Sequence, residues 1–197
     1  MPTTRASTRA RASAVQSEIR QNTPFRSTAQ EATIALLRTA SVVNRSLARV
    51  VEPSGLSLAQ YNALRIIRGA GTGGIPTLSI RERMIEEGTT ITRLLDKLEE
   101  AGLIRRERSY PDRRQVLCFV SDAGRALLDD LDPKVNAADE AVVASLDAGQ
   151  LDRFIELLDL VRSANAERGA ARSAATREPG SPPVARSTRS RAKRQRQ

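Results

Sequence analysis

The sequence contains no histidine and no tryptophan, and only one of its 197 residues is a cysteine. Without histidine, the chain lacks the Ser-His and Cys-His triads, the HExxH zinc motif and the imidazole acid–base groups on which many enzymes depend. The single cysteine, Cys118, excludes an intrachain disulfide and a CxxC metal or redox pair. We therefore expect no enzyme activity, no metal site and no cofactor.

Aromatic residues and long apolar runs are also scarce. Three Phe and two Tyr leave the core to Leu, Ile, Val and Ala, a composition that favours helices. No apolar run approaches the roughly 18 residues of a membrane span. The Arg- and Ser-rich beginning of the chain lacks the apolar stretch of a secretory signal. We expect a cytoplasmic protein without a membrane partner.

Positive charge is concentrated at the two ends of a chain whose formal net charge is +9. Residues 1–30 contain five arginines and one glutamate, and residues 166–197 contain eight arginines, one lysine and two glutamates. Low-complexity segments of this kind cannot bury enough apolar surface to offset the entropy lost on folding. We predict disordered basic tails over 1–23 and 166–197, on either side of one domain over 24–165.

Apolar residues at three- and four-residue steps predict helices within this domain. The six predicted helices cover residues 28–51, 57–69, 78–86, 90–101, 122–145 and 148–164. In the third helix, Leu78, Met84 and Ile85 are expected to face the core.

The predicted helix at 90–101 has the clearest amphipathic pattern. Its apolar positions repeat at i, i+3, i+4 and i+7, at Ile91, Leu94, Leu95 and Leu98. After Gly102 the period changes to that of two strands, 103–108 and 115–120, which are joined by a polar turn with a basic tip. The predicted fold class is therefore mainly α with a small two-stranded β-wing, an α+β winged helix-turn-helix.

This order of helix, tight turn, helix and β-hairpin suits DNA. An α-helix fits the major groove, where Thr and Arg side chains can bond base edges and phosphates. An arginine at a hairpin tip can enter a narrow minor groove, whose negative potential attracts it. The arginines of the first strand, Arg105, Arg106 and Arg108, have a solvated strand edge as their alternative.

Residues 90–106, TITRLLDKLEEAGLIRR, resemble the recognition helix and the start of the wing in MarR-family regulators. Asp112-Arg113-Arg114 resembles the D-x-R of the family's wing tip. Ser121-Asp122-Ala123-Gly124 resembles the T-x-x-G that begins the next helix. The resemblance covers about residues 28–164.

The resemblance implies a sequence-specific, homodimeric transcriptional regulator, more often a repressor, that binds a pseudo-palindromic operator in double-stranded DNA. It implies a DNA-binding part at 57–121 and dimerisation helices at 28–51 and 122–164. In the wing, Arg114 would enter the minor groove and Asp112 would orient it. From the residue pattern and the resemblance together, the predicted DNA-binding residues are Thr89, Thr90, Thr92, Arg93, Lys97, Arg106, Arg108, Asp112, Arg113 and Arg114.

A small aromatic or phenolic effector is implied as well. Arg38 and Tyr61 are its candidate ligand-binding residues, although a core position is the preferred interpretation of Tyr61. Asp96 and Asp112 are expected to be structural acids that pair with wing arginines. Cys118 is expected to be a buried structural thiol, with a redox sensor as its alternative.

Two other functions remain open at this point. The basic tails are compatible with a non-specific architectural DNA-binding protein. A winged helix can also serve as a protein-interaction module without DNA binding.

Overall fold

The computed structural model is mainly helical, with one small antiparallel sheet. It describes residues 14–85, 90–109 and 115–176, and the side chains of the last helix as far as Arg168. The helices of these residues are α1 (Ala14–Glu18), α2 (Thr28–Val51), α3 (Leu58–Gly69), α4 (Thr77–Arg83), α5 (Ile91–Glu100), α6 (Asp122–Val143) and α7 (Ala148–Thr176). The strands are β1 (Ile75–Pro76), β2 (Ile104–Arg108) and β3 (Val116–Val120).

The chain divides into two compact units, one ending at Ser145 and the other beginning at Leu146. This boundary falls inside the segment 24–165, for which the sequence predicts one domain. Helical periodicity predicts that α7 forms, but it carries no information about the unit to which the helix belongs.

The core of the first unit lies where α3, α4 and α5 meet. Leu64 and Ile67 of α3, Ile80 of α4, and Leu95 and Leu98 of α5 are completely buried. Each buried side chain of this size contributes about 1.5–3 kcal/mol relative to exposure. Because the apolar stripe of each helix faces this core, the polar side of each helix faces solvent.

The orientation predicted for the third helix is partly wrong. Met84 is buried, but Leu78 and Ile85 are 57% and 81% exposed, and Ile80 takes the core position. The helix ends at Arg83, and Met84 has an extended backbone with ψ of 141°. The helical period therefore does not extend to Ile85.

The sheet has three strands in the order β1-β3-β2, so the predicted two-stranded wing gains a strand at its base. Ile75 lies opposite Cys118, and Arg106 lies opposite Cys118 from the other side. The sequence pattern misses β1 because it has only two residues, and the second is a proline without a backbone N–H. Gly74 precedes it at φ +68°, where an added Cβ would lie 2.5 Å from Cε1 of Phe119.

Helical structure also enters both segments predicted as disordered tails. In the first, Val15 of α1 is buried, and Nε2 of Gln16 donates to the carbonyl of Gln21 (3.2 Å). In the second, α7 continues to Thr176. The six predicted helices thus become seven among the described residues, because a helix of five residues with one buried apolar side chain is too short to show a helical period.

The end of the wing is fixed to the first turn of α6. Oγ of Ser121 accepts from the backbone N–H of Gly124 (3.0 Å) and donates to the carbonyl of Gly102 (2.7 Å). A Cβ at Gly124 would lie 2.2 Å from the carbonyl oxygen of Leu103. This position therefore admits glycine alone without a backbone shift.

Candidate nucleic-acid interface

The outer side of α5 is polar and exposed. Leu94, Leu95 and Leu98 are buried on its inner side, whereas Thr92, Arg93 and Lys97 are exposed. Thr90 is the exposed N-cap residue, and its hydroxyl makes no capping hydrogen bond. Four of the residues implied as DNA contacts thus lie at the start of α5 or on its outer side.

Arg106 of β2 is bound to α5 instead of projecting freely. Its Nη2 donates to Oδ1 of Asp96 (2.7 Å) and to Oε2 of Glu99 (2.5 Å), and its Nε donates to the same Glu99 oxygen (2.8 Å). Its backbone N–H donates to Oε1 of Glu99 (3.1 Å). The expected pairing of Asp96 with a wing arginine is confirmed, and the main partner, Glu99, is one that the sequence pattern does not reveal.

These contacts shift the pKa values of both Glu99 and Arg106. Hydrogen bonds from the Arg106 side chain lower the pKa of the Glu99 carboxyl. The same bonds to Glu99 raise the pKa of Arg106. Both groups are therefore charged across the neutral range.

The neighbouring arginines of β2 have different surroundings. The guanidinium of Arg105 lies 4.1 Å from the ring centroid of Phe119, and Arg105 also pairs with Glu107. Arg108 is exposed near the end of the strand. Thr89, Asp112, Arg113 and Arg114 lie outside the described residues.

A hollow of about 610 Å³ lies between α4, α5 and the wing. Thr92 and Arg106 line it, together with Arg81 of α4 and Gln115 before β3. Arg81 and Gln115 are not predicted from the sequence, because neither belongs to the pattern of the recognition helix or of the wing tip. The fold therefore places the Arg81 cation and the Gln115 amide in the same hollow as Thr92 of α5.

The two residues expected to bind an effector are not brought together. Arg38 pairs with Glu18 of α1 through Nε (3.3 Å). Tyr61 lies against a separate cavity of about 170 Å³, which Arg65 and Asn62 also line. Arg65, one helical turn after Tyr61, thus lies beside this cavity, and Arg38 is not among its lining residues.

Tyr61 itself is a core residue, as the preferred interpretation predicted. It is 3% exposed, and its hydroxyl donates to Oδ1 of Asp132 in α6 (3.0 Å). Nη2 of Arg68 bonds the other oxygen of Asp132 (2.5 Å). Burial, with a smaller effect of the Asp132 hydrogen bond, raises the pKa of Tyr61 to about 12. This network joins α3 to α6.

Cys118 is completely buried in the middle of β3. Burial raises the pKa of its thiol, which opposes formation of the reactive thiolate. The position favours the structural thiol over the redox sensor.

Among the described residues, no helix combines the length and the apolar character needed to cross a membrane.

Known proteins resemble this chain in sequence as well as in fold. The MarR family profile matches residues 56–116. A MarR transcription factor from Planctomyces limnophilus, known from its crystal structure, is 36% identical to the chain, with a TM-score of 0.54. That similarity covers 70% of this chain and 99% of the Planctomyces chain.

Two further relatives are more distant. The HTH-type transcriptional repressor Rv2887 of Mycobacterium tuberculosis is 27% identical over 128 residues, which are 65% of this chain and 91% of the repressor. The S. aureus MepR–DNA complex has a TM-score of 0.61 at 19% identity, covering 66% of this chain and 96% of MepR, and shares the fold. Since α5 and the wing have the winged helix-turn-helix arrangement and the 36% identity extends over almost all of a MarR transcription factor, this chain belongs to the MarR family of transcriptional regulators.

Proposed function

We propose that the protein is a sequence-specific regulator, and more narrowly a repressor, that binds a pseudo-palindromic operator in double-stranded DNA as a homodimer. The observation that carries the proposal is the exposed polar side of α5 beside a wing that is bonded to the same helix. A surface of this kind acts by binding rather than by catalysis. We place its action in the cytoplasm, where bacterial operators are found.

In this proposal α5 lies in the major groove. Its ten residues span about 15 Å, and a helix fits a groove about 12 Å wide. Arg93 would bond guanine, with Thr90, Thr92 and Lys97 on base edges and phosphates. Thr89 would contribute at the start of the helix.

The wing supplies the second set of proposed contacts. Arg108 is exposed on β2, and an exposed cation there suits the phosphate backbone. By the family resemblance, Arg114 enters the minor groove and Asp112 orients it, while Arg113 adds positive charge at the tip.

The homodimer is supported by apolar side chains that one chain leaves exposed. Leu36, Leu37 and Val42 of α2 are 38%, 65% and 46% exposed. In α7 the exposed apolar residues are Phe154, Ile155, Leu157, Leu160 and Val161. Apolar surface of this kind favours association. A two-fold symmetric pair would read half-sites about 10 bp apart, centre to centre.

A small phenolic or aromatic effector fits the cavity between α2, α3 and α6. Leu47, Leu58 and Met84 provide apolar walls, and Asn62 and Arg65 provide polar groups, the usual combination in ligand sites. Titration of 4-hydroxybenzoate against the DNA complex tests this proposal. Release of DNA that is lost in Arg65→Gln supports it, and unchanged binding at millimolar concentration contradicts it.

Selection of duplexes from a random DNA pool tests the main proposal. We expect one enriched two-fold symmetric site, bound at least about a thousandfold more tightly than random duplex. Equal affinity for all duplexes would indicate the architectural alternative instead. No measurable binding to any duplex would indicate a protein-interaction module.

Replacing Arg93 by Ala measures its contribution to recognition. We expect the affinity for the selected duplex to fall about tenfold or more, as for the loss of a base contact of about 1–3 kcal/mol. Lys134→Ala is the matched control, because it also removes one exposed cation, on α6. Equal, small effects of the two substitutions would contradict a role for Arg93 in base recognition.

A further inference from the structure

Successive arginines of β2 face opposite sides of the sheet, as strand geometry requires. Arg105 lies over Phe119, whereas Arg106 points to α5 and bonds Asp96 and Glu99. We name the group of Asp96, Glu99 and Arg106 the α5–wing anchor. It connects the two elements that the proposed function brings into contact with DNA.

The anchor holds both the backbone and the side chain of one wing residue. The two oxygens of Glu99 accept separately, one from the backbone N–H of Arg106 and the other from its guanidinium. Charge-assisted bonds from a planar guanidinium restrict orientation as well as distance. The side chain of Arg106 is 24% exposed, so solvent screens these bonds only in part.

The charges of the anchor argue against a direct phosphate contact by Arg106. Two carboxylates surround one guanidinium, so the group as a whole is negative. A phosphate approaching Arg106 would meet this excess negative charge. It would also compete with carboxylates at 2.7 and 2.5 Å.

We propose that Arg106 is a positioning residue for DNA recognition, which holds the wing at a fixed distance and angle from α5 so that both elements enter their grooves together. This inference rests on the proposed function. It replaces the direct DNA contact that the sequence predicts for Arg106. Glu99 is the residue through which Arg106 acts.

Glu99→Gln separates positioning from contact, because the two roles require opposite outcomes. The substitution keeps the Arg106 cation and removes one negative charge from the surface. If Arg106 contacts phosphate, the duplex selected by the wild-type protein is bound as tightly or more tightly. If Arg106 positions the wing, affinity for that duplex falls about tenfold, as for one charge-assisted hydrogen bond, while affinity for random duplex does not fall.

The salt dependence of binding gives a second discrimination. We expect Arg106→Gln to lower affinity for the selected duplex with an unchanged slope of log affinity against log salt. Arg108→Gln, which removes an exposed cation from the same strand, should reduce that slope by about 1. Lys134→Gln should alter neither quantity. A reduced slope in Arg106→Gln would overturn the proposal.

Hydrogen exchange without DNA tests the anchor independently of the function. We expect the backbone N–H of Arg106 to exchange faster in Glu99→Gln, with the thermal midpoint little changed, because Gln accepts without charge. Unchanged exchange at Arg106 would overturn the proposal. Failure of the wild-type protein to select any duplex would instead contradict the proposed function, and exchange would still report on the anchor.

Discussion

Identical side chains in this protein have different roles because their surroundings differ. Arg106 bonds two carboxylates, Arg105 lies over an aromatic ring and Arg108 is exposed. The sequence groups all three as one basic stretch. Their surroundings differ because successive side chains of β2 lie on opposite sides of the sheet and because the carboxylates of α5 lie on one of those sides.

Tyr61 provides a pH-dependent test at the scale of one residue. Its pKa is about 12 in the folded chain against 10.0 for an ordinary tyrosine, so the unfolded chain loses the phenolic proton first as pH rises. The stabilisation is present in full below about pH 10 and is lost between about pH 10 and 12. The linked loss in the free energy of unfolding is at most about 1.4 kcal/mol per pH unit.

Urea unfolding between pH 9 and 11.5 measures this loss. The decrease should be shallower in Tyr61→Phe, which has no phenolic proton, than in the wild-type protein. Equal decreases in the free energy of unfolding of the two proteins would show that Tyr61 does not contribute to the pH dependence.

Two contacts between elements depend on glycine. Gly74 lies against the ring of Phe119, and Gly124 brings α6 onto the backbone of Leu103. Helical and strand periods predict most elements near their observed ends, including α2 at 28–51 and α5 close to 90–101. The same periods miss β1, because two residues are too few to show a period.

Gly124→Ala should destabilise the first unit by about 1–3 kcal/mol, the usual cost of overpacking. The new Cβ meets a backbone oxygen at 2.2 Å, which cannot move as a flexible side chain would. Gly69→Ala, at the end of α3 with nothing within 4 Å of its added Cβ, is the control and should be neutral or slightly stabilising. Denaturant midpoints of both variants provide the measurement, and equal midpoints would contradict the close contact.

At the scale of the whole molecule, one chain leaves many apolar side chains of α2 and α7 in contact with solvent. Leu37 and Leu160 are 65% and 64% exposed. Their positions are compatible with the proposed homodimer, in which a second copy would cover them. Two recognition helices related by a two-fold axis would then explain why the operator should be symmetric.

Leu160→Glu tests this arrangement. A charge in a buried interface is costly, so we expect the variant to sediment as a monomer at micromolar concentration and to lose affinity for the symmetric duplex. Asp152→Ser, an exposed polar position on the same helix, should remain dimeric. A dimeric Leu160→Glu with wild-type affinity would exclude α7 from the interface.

The sequence by itself determined six of the seven helices among the described residues, the outer polar side of α5 and the two main strands, because a hydrophobic period is local and reports which side of an element is buried. It also carried the motifs on which the resemblance to the MarR family depends. The tertiary structure alone decided that Arg106 bonds Glu99, that Tyr61 bonds Asp132 and that Arg38 lies away from the Tyr61 cavity. Each of these pairings depends on how separate elements are oriented, and a local pattern contains no information about that orientation.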